Sequence, residues 1–145
     1  MIIRILPTQV PQLWEAIKFT LVQADEINKE DMPYYFNKLL HGLLNEKAQC
    51  FIRLSDDRRL LMLLITRIII DQITGNKDLF IQGIYSWAVV NKENWQDDYN
   101  FVKEFAKSEQ CKRISCESRN KRIWQLCEKL GFRENLRSFI FDLEV

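Results

Sequence analysis

Residues 120–132 read Asn-Lys-Arg-Ile-Trp-Gln-Leu-Cys-Glu-Lys-Leu-Gly-Phe, and no other part of the chain says as much about the fold. Asn120 can cap a helix, the apolar side chains recur at helical spacing, and Gly131 can adopt the left-handed conformation that ends one. Ile114 and Cys116 lie on one face of the segment 113–118 just before it, which predicts a strand. Leu-Gly-Phe can end any amphipathic helix, so residues 120–132 indicate a particular fold only together with the elements around them.

Upstream, three apolar runs separated by two polar turns predict an antiparallel meander over 50–54, 59–73 and 79–90. The part of the central run over 60–70 hardly alternates, so we expect it to be covered on both faces of the sheet. Gly83 among large residues predicts a bulge in the third strand. A polar connection over 91–96 then leads to a helix that Asp97 or Asp98 can cap.

The two ends of the chain supply the remaining strands and helices of the predicted fold. Residues 1–6 predict a strand, Thr8 can cap a first helix, and Asp31 with Pro33 opens a second. Residues 136–143 predict a last strand. The fold class is therefore α/β, in the order β-α-α-β-β-β-α-β-α-β, with a mixed, mostly antiparallel central sheet, about four flanking helices and a single domain over 1–145.

Composition excludes several classes of protein. The chain has 145 residues, 47% hydrophobic and 28% charged, with a net charge of +1, so disordered and collagen-like classes do not fit and no overall field would hold nucleic acid. Its four cysteines lack C-x-x-C spacing and its one histidine, His41, has no evident partner, so we expect no metal site. The longest apolar run is too short to cross a bilayer and no signal-peptide pattern opens the chain. These features predict an intracellular protein with free thiols in the cytoplasm and no membrane partner.

The element order and residues 120–132 together resemble the GNAT superfamily of acyl-CoA-dependent N-acyltransferases. In that family an asparagine after strand five precedes a helix that ends in a Tyr-Glu-Lys-x-Gly-Phe-like sequence. The matching positions here are Asn120, Leu126, Glu128, Lys129, Gly131 and Phe132. The resemblance spans essentially the whole chain and implies the GNAT fold, acetyl-CoA as acyl donor and an amine as acceptor.

Two departures concern the acyl-CoA itself. The family places a glycine-rich loop after strand four, whose amides cradle the pyrophosphate. Residues 91–98 contain no glycine and carry Glu93, Asp97 and Asp98, which would repel a doubly charged ligand. Cys127 stands where many members carry a tyrosine that returns a proton to the departing thiolate, and it fits equally well as a small apolar filler.

A third departure is the missing base, for which the family commonly uses a glutamate or a held water on strand four. Between 79 and 90 the polar side chains are Gln82, Tyr85 and Ser86, and none can deprotonate an ammonium. By topology the nearest carboxylate is Glu117, which also fits a solvated ion-pair partner. An amine that enters neutral can react without such a base.

These observations leave two functions open, so the sequence does not decide whether the chain is an enzyme. The first hypothesis is a non-catalytic binding or structural module with a degraded pyrophosphate loop and no cofactor, of the kind found among bacteriophage virion proteins, in host cytoplasm or virion. The alternative is an active N-acetyltransferase that acts on a small amine. The alternative implies acetyl-CoA held by Val89, Val90, Asn91 and Asn120, with Glu117 and Cys127 as catalytic residues.

Candidate partner contacts lie at two places. Trp95 stands in a polar stretch, as a hydrophobic staple onto the third helix or as an anchor for another protein. Leu136 and Phe139 lie on the predicted last strand, whose unpaired edge predicts a homodimer or a hetero-complex. A basic cluster around Lys121 could meet RNA, but a solvated face explains it better because the net charge is near zero and no aromatic platform accompanies it.

Overall fold

The computed structural model describes residues 1–24 and 27–144, and it confirms the predicted α/β fold class. The strands are β1 (Ile2–Arg4), β2 (Ala48–Leu54), β3 (Leu60–Ile70), β4 (Lys77–Ser86) and β5 (Arg113–Cys116). The helices are α1 (Val10–Ala24), α2 (Met32–Leu44), α3 (Lys92–Ser108) and α4 (Lys121–Lys129), with a short 3-10 helix over Pro7–Gln9. None of the helices in the described ranges is long and apolar enough to span a membrane.

The five strands form one sheet in the order β1-β2-β3-β4-β5, so each strand lies beside its neighbour in sequence. The first three pairs are antiparallel; short polar turns join β2 to β3 and β3 to β4, whereas α1 and α2 lie between β1 and β2. β4 and β5 are parallel because α3 carries the chain back between them. The predicted meander is confirmed. The parallel pair at one edge makes the sheet mixed.

Helices cover both faces of β3 where it is buried. Leu63 and Ile65 point into a core with α1 and α2, while Met62 and Leu64 point into a second core with α3. Burial continues to Thr66, and the end of β3 beyond it is more exposed. The expectation of two covered faces is therefore confirmed for 62–66 and not for the rest of the run.

Gly83 marks the predicted bulge. Ile65 pairs with Gly83 whereas Thr66 pairs with Ile81, so Gln82 is an extra residue in the ladder. A Cβ on Gly83 would lie 2.9 Å from Leu21 Cδ2, because α1 packs directly against the strand at this point. Glycine here therefore serves both the bulge and the close approach of a helix.

The predicted cap of α3 was wrong. Asn91, not Asp97 or Asp98, is the N-cap, and its Oδ1 accepts a hydrogen bond from the Asn94 N–H at 2.8 Å. The helix therefore begins in the stretch that the sequence pattern assigned to a polar connection. Similarly, Thr8 lies inside the 3-10 helix, and α1 begins after it at Val10.

The predicted bounds of two strands were also too long. β3 ends at Ile70 because Asp71 Oδ1 accepts hydrogen bonds from two backbone amides of the following turn, and β4 ends at Ser86 rather than at 90. The α4 predictions hold. Asn120 is its N-cap, and Gly131 has a φ of 92° in a Schellman ending.

The largest correction concerns the predicted last strand over 136–143, which does not form. Leu136 and Phe139 are 67% and 91% exposed, and the segment pairs with no strand in the described part of the chain. Trp87 and Trp124, whose strand and helix spacing predicts core positions, are also substantially exposed. Trp124 lies on the solvent side of α4 because its indole N–H donates to the Ser118 carbonyl in the loop before the helix.

Candidate active site

The parallel strands β4 and β5 separate at the carboxyl edge of the sheet. They pair from Asp78 with Arg113 to Ile81 with Cys116, where β5 ends. β4 continues to Ser86 and there pairs with β3 alone among the described strands. Five strand residues span about 16 Å, so one edge of β4 is open over that length.

Two helices begin beside this opening. Because β4 and β5 are parallel, α3 and α4, which follow them, both start at the same edge of the sheet. Asn91 and Asn120, predicted as ligand contacts, are the two N-caps, and Asn120 Oδ1 accepts from the Arg122 N–H at 2.9 Å. Each cap satisfies one helical N–H, and both helix N-termini, with their partial positive charge, lie at this edge of the sheet.

The loop between β4 and α3 forms the rim of the opening. Trp87 is still held to β3 by its N–H, which donates to the Leu61 carbonyl at 2.8 Å. Val89 is fully exposed and Val90 is half-buried, and no glycine occurs in this loop. The two predicted valine contacts therefore lie on the rim, where their backbone is accessible.

Asp98 does not face this rim. Its carboxylate is buried and accepts hydrogen bonds from Arg53 of β2, with Nη2 2.8 Å from Oδ1 and Nε 3.0 Å from Oδ2. The bond to Asp98 in turn raises the pKa of Arg53. The expected repulsion of an anionic ligand by Asp98 is therefore wrong, since its charge is paired on the sheet side of α3, whereas Asp97 remains exposed.

Cys127 lies in a small cluster of titratable groups. Its thiol is hydrogen-bonded to the thiol of Cys116, the last residue of β5, and this bond lowers the pKa of Cys127. The same bond and burial raise the pKa of Cys116. Tyr99 of α3 approaches from the other side; burial and the nearby Cys127 raise the pKa of its phenol, and its ring is 5.5 Å from that of Phe132.

Sequence reasoning found Cys127 but missed Cys116 and Tyr99 as its neighbours. They come from three elements, α4, β5 and α3, so no local spacing connects them. Glu117 is exposed and follows Cys116 directly; its charge contributes to the raised pKa of that thiol. The structure thus places Glu117 and Cys127 around the same cysteine.

An aromatic surface flanks the other side of β4. Phe19 of α1 meets Tyr85 and Trp87, with ring centroids 5.0 Å and 6.0 Å away. Phe19 and Trp87 line an open cavity of about 390 Å³ together with Ala16 and Leu60. This surface is apolar and adjoins the end of the strand that borders the opening.

The chain is similar to known proteins in structure, whereas comparison by sequence found no match. No family model matches the chain, and no curated protein matches it. A solved structure of a predicted acetyltransferase with acetyl-CoA from Clostridium acetobutylicum superposes with a TM-score of 0.77 at 13% identity, over 98% of this chain and 95% of that one. The fold is that of the GNAT acetyltransferases.

Two further GNAT structures agree. The aminoglycoside 6'-N-acetyltransferase AAC(6')-Ih of Acinetobacter baumannii gives a TM-score of 0.72 at 15% identity over 100% of this chain and 98% of that one. AAC(6')-Iy in complex with CoA gives 0.69 at 14% identity over the full length of both chains. The predicted GNAT fold is thus confirmed over the whole chain.

Within the GNAT fold, Asn120 to Phe132 form the helix expected from the resemblance, with its cap and its glycine ending in place. Trp95, considered as a partner anchor, lies in the first turn of α3 and packs against the core that contains Phe51. No group of three His, Cys, Asp or Glu side chains that could hold a metal occurs in residues 1–24 and 27–144.

Proposed function

We propose that this chain is an N-acyltransferase that binds acetyl-CoA in the opening between β4 and β5 and transfers the acetyl group to an amine. The observation that carries the proposal is the end of strand pairing at Ile81 and Cys116, beside two helix N-termini. Open strand edges accept amide-containing ligands, and helix N-termini accept phosphates. The likeness to structures with bound acetyl-CoA and CoA supports the same assignment.

In this proposal the ligand contacts are the predicted ones. The backbone of Val89 and Val90 and the two capped helix ends at Asn91 and Asn120 would hold the phosphate-bearing part of the donor. When bound, acyl-CoA supplies the thioester whose acyl carbon the amine attacks, with loss of the C–S bond. Cys127 would give its proton to the departing sulfur, and Glu117 would take the proton that the amine loses.

The electrostatics support this function more than the sequence alone does. Of the three carboxylates predicted to repel the donor, the one at Asp98 is neutralised by Arg53. Lys92 is exposed in the first turn of α3, as are Glu93 and Asp97 nearby. With Asp98 paired, the exposed charge over 91–98 is −1 rather than the −2 of the full count.

A non-catalytic binding module is the second candidate. It is favoured by the absence of glycine from the rim loop and by Cys127 in place of the family's tyrosine. In this candidate Trp95, Leu136 and Phe139 would contact a protein partner or a second copy, and a role in a bacteriophage virion stays a prediction. A single domain over 1–145 and a location in the cytoplasm are likewise proposals, the first supported by one continuous sheet.

The deciding experiment is calorimetric titration of the reduced protein with acetyl-CoA and with CoA. We expect micromolar binding of both ligands, weakened about tenfold or more by Lys92→Glu at the start of α3. Lys107→Glu makes the same charge change in the last turn of that helix and should leave the affinity unchanged. No heat up to millimolar ligand would overturn the acyltransferase proposal and leave the binding module.

A further inference from the structure

Two half-buried cysteines meet at the point where β4 and β5 separate. Cys116 is the last residue of β5 and pairs there with Ile81, and Cys127 lies in the last turn of α4. Their thiols are hydrogen-bonded to each other, so the two sulfur atoms are already in contact. Both are free thiols, and a small oxidant can reach them because neither residue is fully buried.

The connection between β5 and α4 holds this pair of thiols together. The Asn120 N–H donates to Ser118 Oγ at 3.0 Å, and the Trp124 indole N–H donates to the Ser118 carbonyl. At the other end of the helix, the Phe132 N–H donates to the Cys127 carbonyl at 2.9 Å. These bonds fix the short loop that places α4 beside the end of β5, so the contact between the two thiols is a consequence of the backbone fold.

The two thiols differ in their expected reactivity. The hydrogen bond with Cys116 lowers the pKa of Cys127, so a larger fraction of Cys127 is thiolate at neutral pH. The same bond and burial raise the pKa of Cys116, which therefore stays protonated. Because the thiolate is the nucleophile, Cys127 is the group expected to react first with an oxidant, and Cys116 lies beside it as the resolving thiol.

We propose that Cys116 and Cys127 are a redox-active pair that a hydroperoxide converts to an intramolecular disulfide. In the first step the Cys127 thiolate attacks one oxygen of the hydroperoxide and the O–O bond breaks. Cys127 becomes a sulfenic acid, and the departing hydroxide or alkoxide takes up the proton that Cys127 had released. In the second step the Cys116 sulfur attacks the Cys127 sulfur, the S–O bond breaks, and the thiol proton leaves with the hydroxide as water. The two sulfur atoms are oxidised and the hydroperoxide is reduced.

The positions of the other two cysteines exclude them from this pairing in the folded chain. Cys50 is buried in the core beneath α1 and α2, on the face of the sheet opposite to α3, and burial raises its pKa to about 12. Cys111 lies before the start of β5, and the strand separates it from Cys116 by at least about 10 Å. This exceeds the roughly 7 Å between Cα atoms that a disulfide can bridge.

Oxidation also bears on the proposed active site, and this consequence rests on the proposed function. Cys127 in a disulfide has no proton to give to the departing CoA sulfur, so oxidation would stop acyl transfer and reduction would restore it. The pair would then act as a reversible switch on that site. Formation of the disulfide itself does not depend on acyl transfer and is tested without acetyl-CoA.

Peptide mapping under non-reducing conditions tests the proposal on the full chain. Cys116 and Cys127 fall on separate tryptic peptides, 114–119 and 123–129. After treatment with equimolar hydrogen peroxide and alkylation of the remaining thiols, we expect these two peptides to be joined by a disulfide. The intact chain should keep its monomer mass of 17.4 kDa and half of its four thiols, and dithiothreitol should restore all of them.

Three serine variants distinguish a reactive pair from two thiols that only pack together. Cys116→Ser should leave the oxidation at Cys127 as a sulfenic acid, which dimedone traps, without a disulfide. Cys127→Ser should slow the consumption of peroxide about tenfold or more, because burial and the charge of Glu117 still raise the pKa of Cys116. Cys111→Ser changes a half-buried cysteine outside the pair and should leave disulfide formation unchanged.

Oxidation of the wild-type chain that stops at a sulfenic or sulfinic acid on Cys127 would overturn the proposal. A disulfide that joins another pair of cysteines, or two chains, would overturn it too, because the contact between Cys116 and Cys127 would then not direct the chemistry. Retention of all four thiols in excess hydrogen peroxide would have the same meaning. Failure of the acyltransferase proposal would leave each of these results unchanged, since none of them uses acetyl-CoA.

Discussion

Loss of the Asp98 carboxylate should destabilise the protein strongly. Asp98 and Arg53 form a two-point ion pair between α3 and β2, with side chains only 4% and 12% exposed. Asp98→Asn keeps the size of the side chain but removes the charge. Arg53, whose side chain is only 12% exposed, is then left without its counter-ion.

Removing one partner of a buried pair costs about 3–5 kcal/mol, since the remaining charge has lost its water and gained nothing. A typical domain has about 5–15 kcal/mol of stability in total, so the variant keeps a folded state but loses a large share of its margin. For a chain of this length we expect a fall in melting temperature of about 10 °C. α3 should loosen first, because the ion pair holds it to the sheet.

Urea unfolding followed by circular dichroism measures the free energy of unfolding. Asp57→Asn is the matched control, since Asp57 pairs with Arg59 at the surface and its loss should change stability little. Arg53→Met/Asp98→Leu removes both charges and should recover much of the stability lost in Asp98→Asn. A loss below about 1 kcal/mol in Asp98→Asn, or a double variant no better than the single one, would refute the argument.

Three further outcomes follow from local geometry. Gly83→Ala should cost about 1–3 kcal/mol in urea unfolding, because the new Cβ meets Leu21, and a double-mutant cycle with Leu21→Ala should show coupling. The rate of alkylation of the Cys127 thiol should reach half its maximum at a lower pH than that of an ordinary cysteine, since the lowered pKa leaves more thiolate at neutral pH. Cys116→Ala should raise this midpoint pH, with the rate followed by mass spectrometry. Asn91→Ala should lose about 1 kcal/mol through its cap, and no loss would show that water replaces the bond.

The fold could be predicted from the sequence because its signals are local. The apolar run of β3, the bulge at Gly83 and the cap and glycine ending of α4 each depend on a few adjacent residues. The bulge, the cap and the glycine ending form as predicted, and β3 forms within the predicted run but is shorter. The predicted strand over 136–143 does not form, for the opposite reason. Its alternating apolar residues are typical of a strand, but a strand forms only beside a neighbour, and the segment has none in the described residues.

In the candidate site, too, local features could be predicted from the sequence and contacts between distant residues could not. Asn120 was predicted because its cap is a local signal, whereas the cap of α3 was predicted at Asp97 or Asp98 and lies at Asn91. The ion pair of Asp98 with Arg53 and the contact of Cys116 with Cys127 join residues that are not neighbours in sequence. Neither pair could be predicted from the number of charges over 91–98 or from the number of cysteines. The predicted repulsion of an anionic ligand at the rim was too strong for this reason, and Cys116 was not predicted as a neighbour of Cys127.

The proposed function depends on the shortness of β5. The strand stops at Cys116 because Glu117 to Asn120 turn into the cap of α4, and this early end leaves the inner edge of β4 open for a ligand. On its outer side β5 pairs with no strand in the described residues. A strand of four residues with one neighbour is weakly held, so the floor of the proposed acyl-CoA opening depends on the parallel pairing of β5 with β4.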